Sequence, residues 1–447
     1  MGFKIAVASL GCAKNLVDTE NMLGLLLECG HELTIETAEA DVIIVNTCGF
    51  IGDAKKESID TILEMAEYKQ CGSCKALLVT GCLAERYKEE ILTSIEEVDA
   101  VVGTGDFDKV VSVLETVLAG ERVALYGHAD MYCMENLPRV TTTPSHTAYL
   151  KIAEGCDNHC TYCVIPKLRG KFRSRSIEDI CAEANELAEN GVRELILIAQ
   201  DTTRYGSDLY GTYALDKLLQ ALCSIEKIRW IRLHYMYPEA ITDALLQTIA
   251  DHKKILPYFD IPVQHGSDTV LRRMGRRTDA PQMHVLFEKI RQYCPQAVLR
   301  TSVIVGFPGE TQEEFEALLQ FLEEVRFDRL GAFAYSKEED TPAAKMGNQV
   351  HYKVKQARRR CVMELAQRIS EEKNQGRLGQ VLEVVCEGYD AENYMYYGRS
   401  YADSPNVDAF VYFAANRDVH IGEFVQVKIL CAEEYDLIGE MESELTE

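Results

Sequence analysis

Strand-like and helical segments alternate along the first 120 residues of the chain. The β-branched runs KIAVAS, DVIIVN and KALLVT are each followed by a helical pattern, at 17–29, 55–68 and 85–95. Alternation of this kind is typical of an open parallel sheet with helices on both faces. We therefore predict an α/β domain of this type at the N-terminus.

The alternation resumes at Tyr149 with a longer period. Six candidate strands, separated by helical stretches such as 177–190 and 313–325, predict a partial βα barrel. These strands are AYLKIAEG, ELILIAQD, WIRLHYM, YFDIPV, VLRTSVIVG and RLGAFAYS. Residues 345–375 predict a long amphipathic helix. The short strands after Gly379 predict a small antiparallel β-barrel.

These patterns divide the chain into four parts. We assign residues 1–120 to the N-terminal α/β domain. Residues 121–147, which include two prolines and a threonine run, are assigned to a linker. Residues 148–375 form the predicted barrel domain, and 376–443 form the terminal β-barrel. The overall class is α/β with a small all-β domain at the end.

Both ends of the chain are acidic. There are 47 basic and 71 acidic residues, a net charge of −24, of which 1–145 carry −13 and 376–447 carry −11. Because nucleic-acid binding needs clustered Lys and Arg, we expect a basic protein as partner rather than RNA. No apolar run approaches the ~18 residues of a membrane helix, and the first residues resemble a strand rather than a signal peptide. We expect a cytoplasmic protein without a membrane partner.

Three cysteines lie on one loop directly after the first strand of the predicted barrel. Cys156, Cys160 and Cys163 have the spacing C-x₃-C-x₂-C. Three thiolates this close can bind three corners of an iron–sulfur cluster and leave one iron open for a substrate or cofactor. The alternative is a structural zinc site with a fourth ligand such as His159. Zinc sites favour two separated C-x₂-C knuckles, and no second knuckle follows nearby.

Three further cysteines each follow a predicted strand of the N-terminal domain. Cys12, Cys48 and Cys82 are separated by 36 and 34 residues, one strand–helix unit each. Since the carboxyl ends of parallel strands line the ligand crevice, the three thiols are expected to converge there as a second cluster site. The alternative is that all three are buried packing residues. The pair Cys71 and Cys74 lies between a helix and a strand without a partner pair, and we interpret it as incidental.

The central cysteine spacing, placed after the first barrel strand, resembles that of the radical S-adenosylmethionine (SAM) enzymes. The resemblance implies a 4Fe–4S cluster whose open iron chelates SAM, and a radical generated from SAM by one electron. Tyr162 matches the aromatic position near SAM, and Gly306 lies in SVIVGFPGE, which resembles the strand that supports adenine. By the barrel rule, the strand-end pairs 200–201 and 264–265, including Gln264, are candidate pocket residues.

The whole chain resembles the methylthiotransferases within that superfamily. The resemblance implies that Cys12, Cys48 and Cys82 hold a second 4Fe–4S cluster whose open iron carries sulfur. It also implies that the terminal barrel is a TRAM-like domain that grips the substrate. Part of this family modifies an adenosine in tRNA, and part modifies an aspartate of small-subunit ribosomal protein twelve. Segments such as SLGCAKNLVDTE, NTCGFIGDAKKESID and GRSYADSP resemble the second group, although Ala13 stands where proline is common.

The implied reaction is methylthiolation of the aspartate β-carbon, with a reductant such as flavodoxin or ferredoxin. No side-chain base could remove that β-hydrogen as a proton at a useful rate, so we expect no catalytic His or Ser. Two alternatives remain open: a tRNA adenosine methylthiotransferase, and a non-enzymatic iron–sulfur or zinc protein. Two basic groups are interpreted as solvated or ion-paired, with the alternative that the first group lies beside a carboxylate of SAM or substrate. They are Lys167, Arg169, Lys171, Arg173 and Arg175, and Arg272, Arg273, Arg276 and Arg277.

Overall fold

The N-terminal domain is a parallel sheet between two layers of helices. The computed structural model describes residues 2–127, 129–130 and 135–442. The strands of this domain are β1 (Lys4–Ser9), β2 (Glu32–Leu33), β3 (Val42–Thr47), β4 (Ala76–Gly81), β5 (Ala100–Val102) and β6 (Val123–Leu125). The helices are α1 (Ala13–Glu28), α2 (Gly52–Cys71), α3 (Cys82–Tyr87), α4 (Glu89–Ser94) and α5 (Val110–Leu118). The strand order is β2-β1-β3-β4-β5-β6.

Alternate residues of the central strands face opposite helical layers. Ile44 and Leu78 pack in the cluster that contains α1 and α5. Ile43 and Leu77 pack in the cluster that contains α2, α3 and α4. This period of two, with both faces buried, is what a parallel sheet covered on both sides requires. The predicted α/β domain is confirmed.

The predicted linker is wrong at its start. Within 121–147, the strand β6 pairs in parallel with β5, Ala100 opposite Val123 and Val102 opposite Leu125. Three apolar residues are too few for a recognisable strand period, and so the sequence did not reveal this edge strand. The sheet therefore extends into the stretch assigned to the linker, of which residues 128 and 131–134 lie outside the described part.

The second domain is a six-stranded parallel sheet that stays open between its edge strands β7 and β14. Its order is β14-β13-β12-β11-β10-β7, the partial barrel that was predicted. The strands are β7 (Thr147–Lys151), β10 (Glu194–Ile198), β11 (Trp230–Leu233), β12 (Ile255–Asp260), β13 (Val298–Val305) and β14 (Arg329–Ala334). A short antiparallel pair, β8 (Ala153–Glu154) with β9 (Arg173–Ser174), follows β7.

The helices of this domain are α6 (Ile165–Arg169), α7 (Ile177–Glu189), α8 (Leu215–Cys223), α9 (Asp243–Asp251), α10 (Asp268–Arg273), α11 (Ala280–Tyr293), α12 (Gln312–Val325) and the long charged helix α13 (Tyr352–Gln375). Most of them pack on the outer face of the sheet, whereas α6 packs against α3 of the N-terminal domain. The helix predicted over 345–375 begins only at Tyr352, because His351 caps it by accepting from the Lys353 N–H. Within the described ranges, no helix combines the length and apolar character needed to cross a bilayer.

The terminal domain is a closed five-stranded barrel, as predicted. Its strands are β15 (Val381–Asp390), β16 (Met395–Ser400), β17 (Val411–Ala414), β18 (Phe424–Ala432) and β19 (Leu437–Met441). The order is β15-β16-β17-β19-β18, and β17 pairs in parallel with β19 while the other pairs are antiparallel. Strand direction reverses at each antiparallel pair, and so a closed ring of five strands needs at least one parallel pair. The purely antiparallel barrel of the prediction differs in that one pairing.

The terminal barrel docks at the amino ends of the second sheet. Arg399 of β16 lies 2.7 Å from Glu194, the first residue of β10. The Phe424 ring packs edge-on against Trp230, the first residue of β11. Burial acts to raise the pKa of Glu194, but Arg399 and Arg232 outweigh it and lower that pKa to about 2. The terminal barrel therefore leaves the carboxyl ends of these strands uncovered, and the N-terminal domain packs on that side.

Candidate cysteine sites between the two parallel sheets

Cys12, Cys48 and Cys82 meet at the carboxyl ends of three neighbouring strands. Cys12 lies between β1 and α1, Cys48 directly follows β3, and Cys82 is the first residue of α3 after β4. Because β1, β3 and β4 are adjacent in the sheet, their carboxyl ends lie side by side. A Cβ placed on Gly11 would be 3.2 Å from Cys48 Sγ, which shows how close the first two loops are. The strand ends that carry the three cysteines therefore lie side by side, and their role as cluster ligands stays a prediction.

Asn15 joins the three loops that carry these cysteines. Its amide Nδ2 donates to the carbonyl oxygens of Leu10, at 3.1 Å, and Thr47, at 2.9 Å. Cys82 Sγ lies 3.7 Å from Asn15 Oδ1. One buried side chain therefore touches a residue on each of three separate strand ends. Sequence reasoning missed Asn15, because a lone Asn three residues after a cysteine carries no motif.

Cys156, Cys160 and Cys163 receive a donor at every sulfur. The Asn158 N–H donates to Cys156 Sγ and the Ile165 N–H to Cys163 Sγ, both at 3.4 Å. The Arg276 guanidinium reaches Cys160 Sγ at 4.0 Å. Donors of this kind stabilise thiolate sulfur and are typical of iron–sulfur ligands. The donor set fits a cluster held by three thiolates.

Burial keeps several of these thiols protonated in the metal-free protein. It raises the pKa of Cys82 and that of Cys156 to about 11. Burial also raises the pKa values of Cys48 and Cys163. Because a metal binds the thiolate, loading of either set must release protons. The described residues contain no group of three or more His, Cys, Asp or Glu side chains arranged around a single metal-ion position.

The two cysteine sets face each other across the domain contact. Cys82 packs in a small apolar cluster with Val164 and Leu168, next to Phe50. Val164 directly follows Cys163, so the same cluster touches both sets. The carboxyl ends of the two parallel sheets therefore point toward one shared region.

A buried charge network ties the sheets together beside this region. Arg169 Nη1 lies 2.6 Å from Asp18 Oδ2 of α1 and 3.0 Å from Glu154 Oε2. Lys151 is ion-paired with the same two carboxylates. All four side chains are buried. Arg169 was one of the basic residues for which a position beside a carboxylate of SAM or substrate was considered. Its charge is instead paired within the contact between the two domains.

Comparison with known proteins identifies the chain. Residues 4–103 match "Uncharacterized protein family UPF0004", 150–322 match the radical SAM superfamily, and 378–441 match the TRAM domain. It is 52% identical over 439 residues to "Ribosomal protein uS12 methylthiotransferase RimO" of Lachnoclostridium phytofermentans, covering 98% of this chain and 100% of that one. The protein of the same name from Clostridioides difficile is 50% identical over 442 residues, 99% of each chain.

The chain belongs to the RimO family of uS12 methylthiotransferases. The predicted family, fold class and enzyme class are thereby confirmed. A solved radical SAM methyltransferase, TsrM from Kitasatospora setae, has the same fold with a TM-score of 0.58 at 12% identity, covering 86% of this chain and 81% of that one. The radical SAM enzyme OxsB aligns with a TM-score of 0.50 at 14% identity, over 82% of this chain and 56% of that one. At such identities the solved structures support the fold alone.

The residues predicted to contact SAM lie around the second cysteine set of this RimO-family chain. Tyr162 packs in an apolar cluster with Ile304 and Phe307, on either side of Gly306. Gly306 has φ +70° and follows β13, and a Cβ there would be 3.1 Å from Lys355 Cβ. Gln264 forms a bridge with Val303 of the same strand. The structure brings these three positions to one end of β13.

The other candidate pocket residues have internal partners. Gln200 donates to Glu154, and Asn158 Nδ2 donates to Asp201 Oδ2 at 2.9 Å. His265 accepts from the Ser267 N–H at 2.9 Å and lies 3.6 Å from Glu310. Asn158, between two of the cysteines, therefore links their loop to the end of β10, a contact that the spacing alone did not reveal.

Most of the predicted basic residues are ion-paired or bonded to backbone. Arg175 pairs with Asp179 and Glu183, and Arg273 pairs with Glu314. Arg276 differs. Its guanidinium lies 4.4 Å from the centre of the Tyr237 ring, and the Tyr237 hydroxyl lies 3.9 Å from Cys160 Sγ. Of the second basic group, Arg276 is thus the member placed against a cysteine of this RimO-family site.

Proposed function

We propose that this chain attaches a methylthio group to the β-carbon of an aspartate in ribosomal protein uS12, using SAM and two 4Fe–4S clusters. One observation carries the proposal: two sets of three cysteines lie at the facing carboxyl ends of two parallel sheets and share the apolar cluster around Val164. The names of the full-length relatives support the substrate. The acidic ends of the chain suit a basic ribosomal protein.

We assign a separate ligand set to each cluster. Cys12, Cys48 and Cys82 would hold the first, and Cys156, Cys160 and Cys163 would hold the second, which also binds SAM. When bound, these groups supply a transferable sulfur and the one-electron chemistry that removes hydrogen from an unactivated carbon. Tyr162, Gly306 and Gln264 are assigned to the SAM pocket.

The residues of the chain contribute position and exclusion of water. Asn15 holds the loops of the first set together, and Asn158 fixes the loop of the second set against Asp201. Burial of Cys82, Cys156 and Cys160 keeps water from the sulfurs. A dry, fixed site protects reactive intermediates and lowers the entropy cost of reaction.

The partners follow from the chemistry. One-electron reduction of the second cluster requires a donor, and we assign that role to a flavodoxin or ferredoxin. Because the proposed substrate is a ribosomal protein, we assign the reaction to the cytoplasm. A tRNA substrate is the second candidate, because the TRAM match covers 378–441. The net charge of −11 over 376–447 weighs against it.

Anaerobic turnover with SAM, a reductant and either uS12 or tRNA tests the proposal. We expect uS12 to gain the mass of a methylthio group in place of one hydrogen, located on an aspartate by fragmentation, and tRNA to gain nothing. Cys48→Ala and Cys156→Ala should each lose half of the iron and sulfide, with SAM cleavage surviving only in Cys48→Ala. Cys294→Ala, a buried cysteine in the barrel core, is the matched control. Modification of tRNA alone, or bound zinc in place of iron, would contradict the proposal.

A further inference from the structure

Lys14 stands apart from the other buried cations at the contact between the two sheets. It is buried, with 8% of its surface exposed against 2% for Lys151 and Arg169. Arg139, Lys151 and Arg169 each form an ion pair with at least one buried carboxylate. Among the described residues, no carboxylate lies within 4.0 Å of Lys14 Nζ. A buried ammonium without a carboxylate partner is costly, so such a residue needs a reason.

The internal contacts of Lys14 are with the Tyr235 side chain and one backbone carbonyl. Nζ lies 3.3 Å from the centre of the Tyr235 ring, a cation–π contact. Its hydrogen bond is a long one, 3.5 Å to the Ala199 carbonyl oxygen. An ammonium has three N–H donors, and a charged acceptor would satisfy them far better than a ring face and a distant carbonyl.

Lys14 also lies between the two cysteine sets. It is on the first turn of α1, two residues after Cys12. Ala199 and Tyr235 follow β10 and β11, at the carboxyl end of the second sheet where the loop of Cys156 lies. A substrate carbon that received sulfur from one side and lost hydrogen to the other would have to sit close to this ammonium.

We propose that Lys14 is the receptor for the carboxylate of the substrate aspartate. This inference rests on the proposed function and adds the residue that recognises an acidic side chain. The β-carbon is bonded directly to the carboxyl carbon. A fixed carboxylate therefore fixes the β-carbon to within one bond and keeps its hydrogens close to one place, which is the positioning that radical abstraction requires. Lys14 is a binding and positioning residue, and it takes no part in bond making.

Binding of uS12 to the cluster-loaded enzyme with SAM and without reductant tests the assignment. Wild type should bind uS12 more tightly than a uS12 variant with Asn at the modified aspartate, by about 10-fold or more for a charge-assisted hydrogen bond. Lys14→Gln should bind both forms with equal affinity, and Lys14→Arg should restore part of the preference. Lys55→Gln, at an interdomain lysine already paired with Glu338, should keep the full preference.

The outcomes separate this inference from the function it rests on. If wild type neither binds nor modifies uS12, the proposed function fails. If wild type modifies uS12 but Lys14→Gln still prefers the Asp form, the assignment of Lys14 fails. Iron content should be the same in Lys14→Gln and wild type, which separates a substrate-binding defect from loss of the first cluster. A loss of iron in Lys14→Gln would mean that Lys14 supports the first cysteine set instead and would overturn the proposal.

Discussion

The two cysteine sets each bring three thiols together, but one does so from three separate strand ends and the other from a single loop. Cys12, Cys48 and Cys82 come from three strand ends and meet only because β1, β3 and β4 are neighbours. Cys156, Cys160 and Cys163 lie within eight consecutive residues. The first set therefore depends on long-range sheet formation and on Asn15, and the second depends on the conformation of one loop and on donors to its sulfurs. Local changes should damage the two sites independently.

The largest effect is expected from the glycines that precede a cysteine in each set. Gly81 has φ +93°, and a Cβ there would overlap Asn46 Oδ1 and lie 2.5 Å from the Thr47 carbonyl oxygen, next to Cys48. Gly155 has φ +79°, and a Cβ there would overlap the Lys171 carbonyl oxygen. Both positions require glycine for backbone conformation and for space. Gly81→Ala and Gly155→Ala should each lose one cluster, about half of the bound iron.

The two glycine variants should differ in what activity they keep. Gly81→Ala should still cleave SAM under reducing conditions, whereas Gly155→Ala should not. Iron and sulfide analysis with quantification of 5′-deoxyadenosine provides both readouts. Gly120→Ala is the control, because Gly120 also has a positive φ, +95°, and open space around its Cα. Loss of both clusters in either variant would show that the two sites are not independent.

The two sheets and the two groups of cysteines could be predicted from the sequence, but the residues that connect them could not. Strand–helix alternation and cysteine spacing predicted both sheets and both cysteine sets, since parallel topology brings carboxyl ends together whatever the details. The partners of Lys14 and Asn15 come from other segments, with sequence separations of 185 for Lys14–Ala199 and 67 for Asn15–Cys82. No periodicity encodes such pairs. The strand β6 was not predicted for a simpler reason, because it has only three residues.

A smaller effect is expected on the reduction potential of the second cluster, with no effect on that of the first. Arg276 lies at Cys160 of the second set, and its charge favours the reduced, more negative form of a cluster held there. An interaction of about 1–2 kcal/mol corresponds to roughly 40–90 mV for one electron. Arg276→Gln should therefore lower the reduction potential of the second cluster by that amount and leave the first unchanged. Arg276→Lys, which keeps the charge, should shift it less.

Redox titration followed by EPR can resolve the two clusters if the titration is repeated in Cys48→Ala, which is expected to hold only the second. Arg273→Gln is the matched control, because Arg273 lies on the same segment but pairs with Glu314. Equal shifts in both arginine variants, or a shift of the first cluster, would contradict the placement of the Arg276 charge.

The smallest effect is expected from the C-x₂-C pair that lies outside the two cysteine sets. Cys71 and Cys74 precede β4, whereas Cys82 follows it. A six-residue strand rises about 20 Å, so the pair lies at the far edge of the sheet from the first set. Cys71 Sγ lies 3.2 Å from the Glu67 carbonyl oxygen, and Cys74 Sγ lies 3.3 Å from that of Ala76.

Replacing Cys71 by Ser and Cys74 by Ala should leave iron content and turnover unchanged. The double variant should lower the free energy of unfolding by about 1 kcal/mol, because the buried Cys74 sulfur is removed. Iron analysis beside urea unfolding of the metal-free protein measures both. A drop in iron would mean that these thiols take part in acquiring or holding a cluster, and that position at a strand end is not what distinguishes the ligand cysteines.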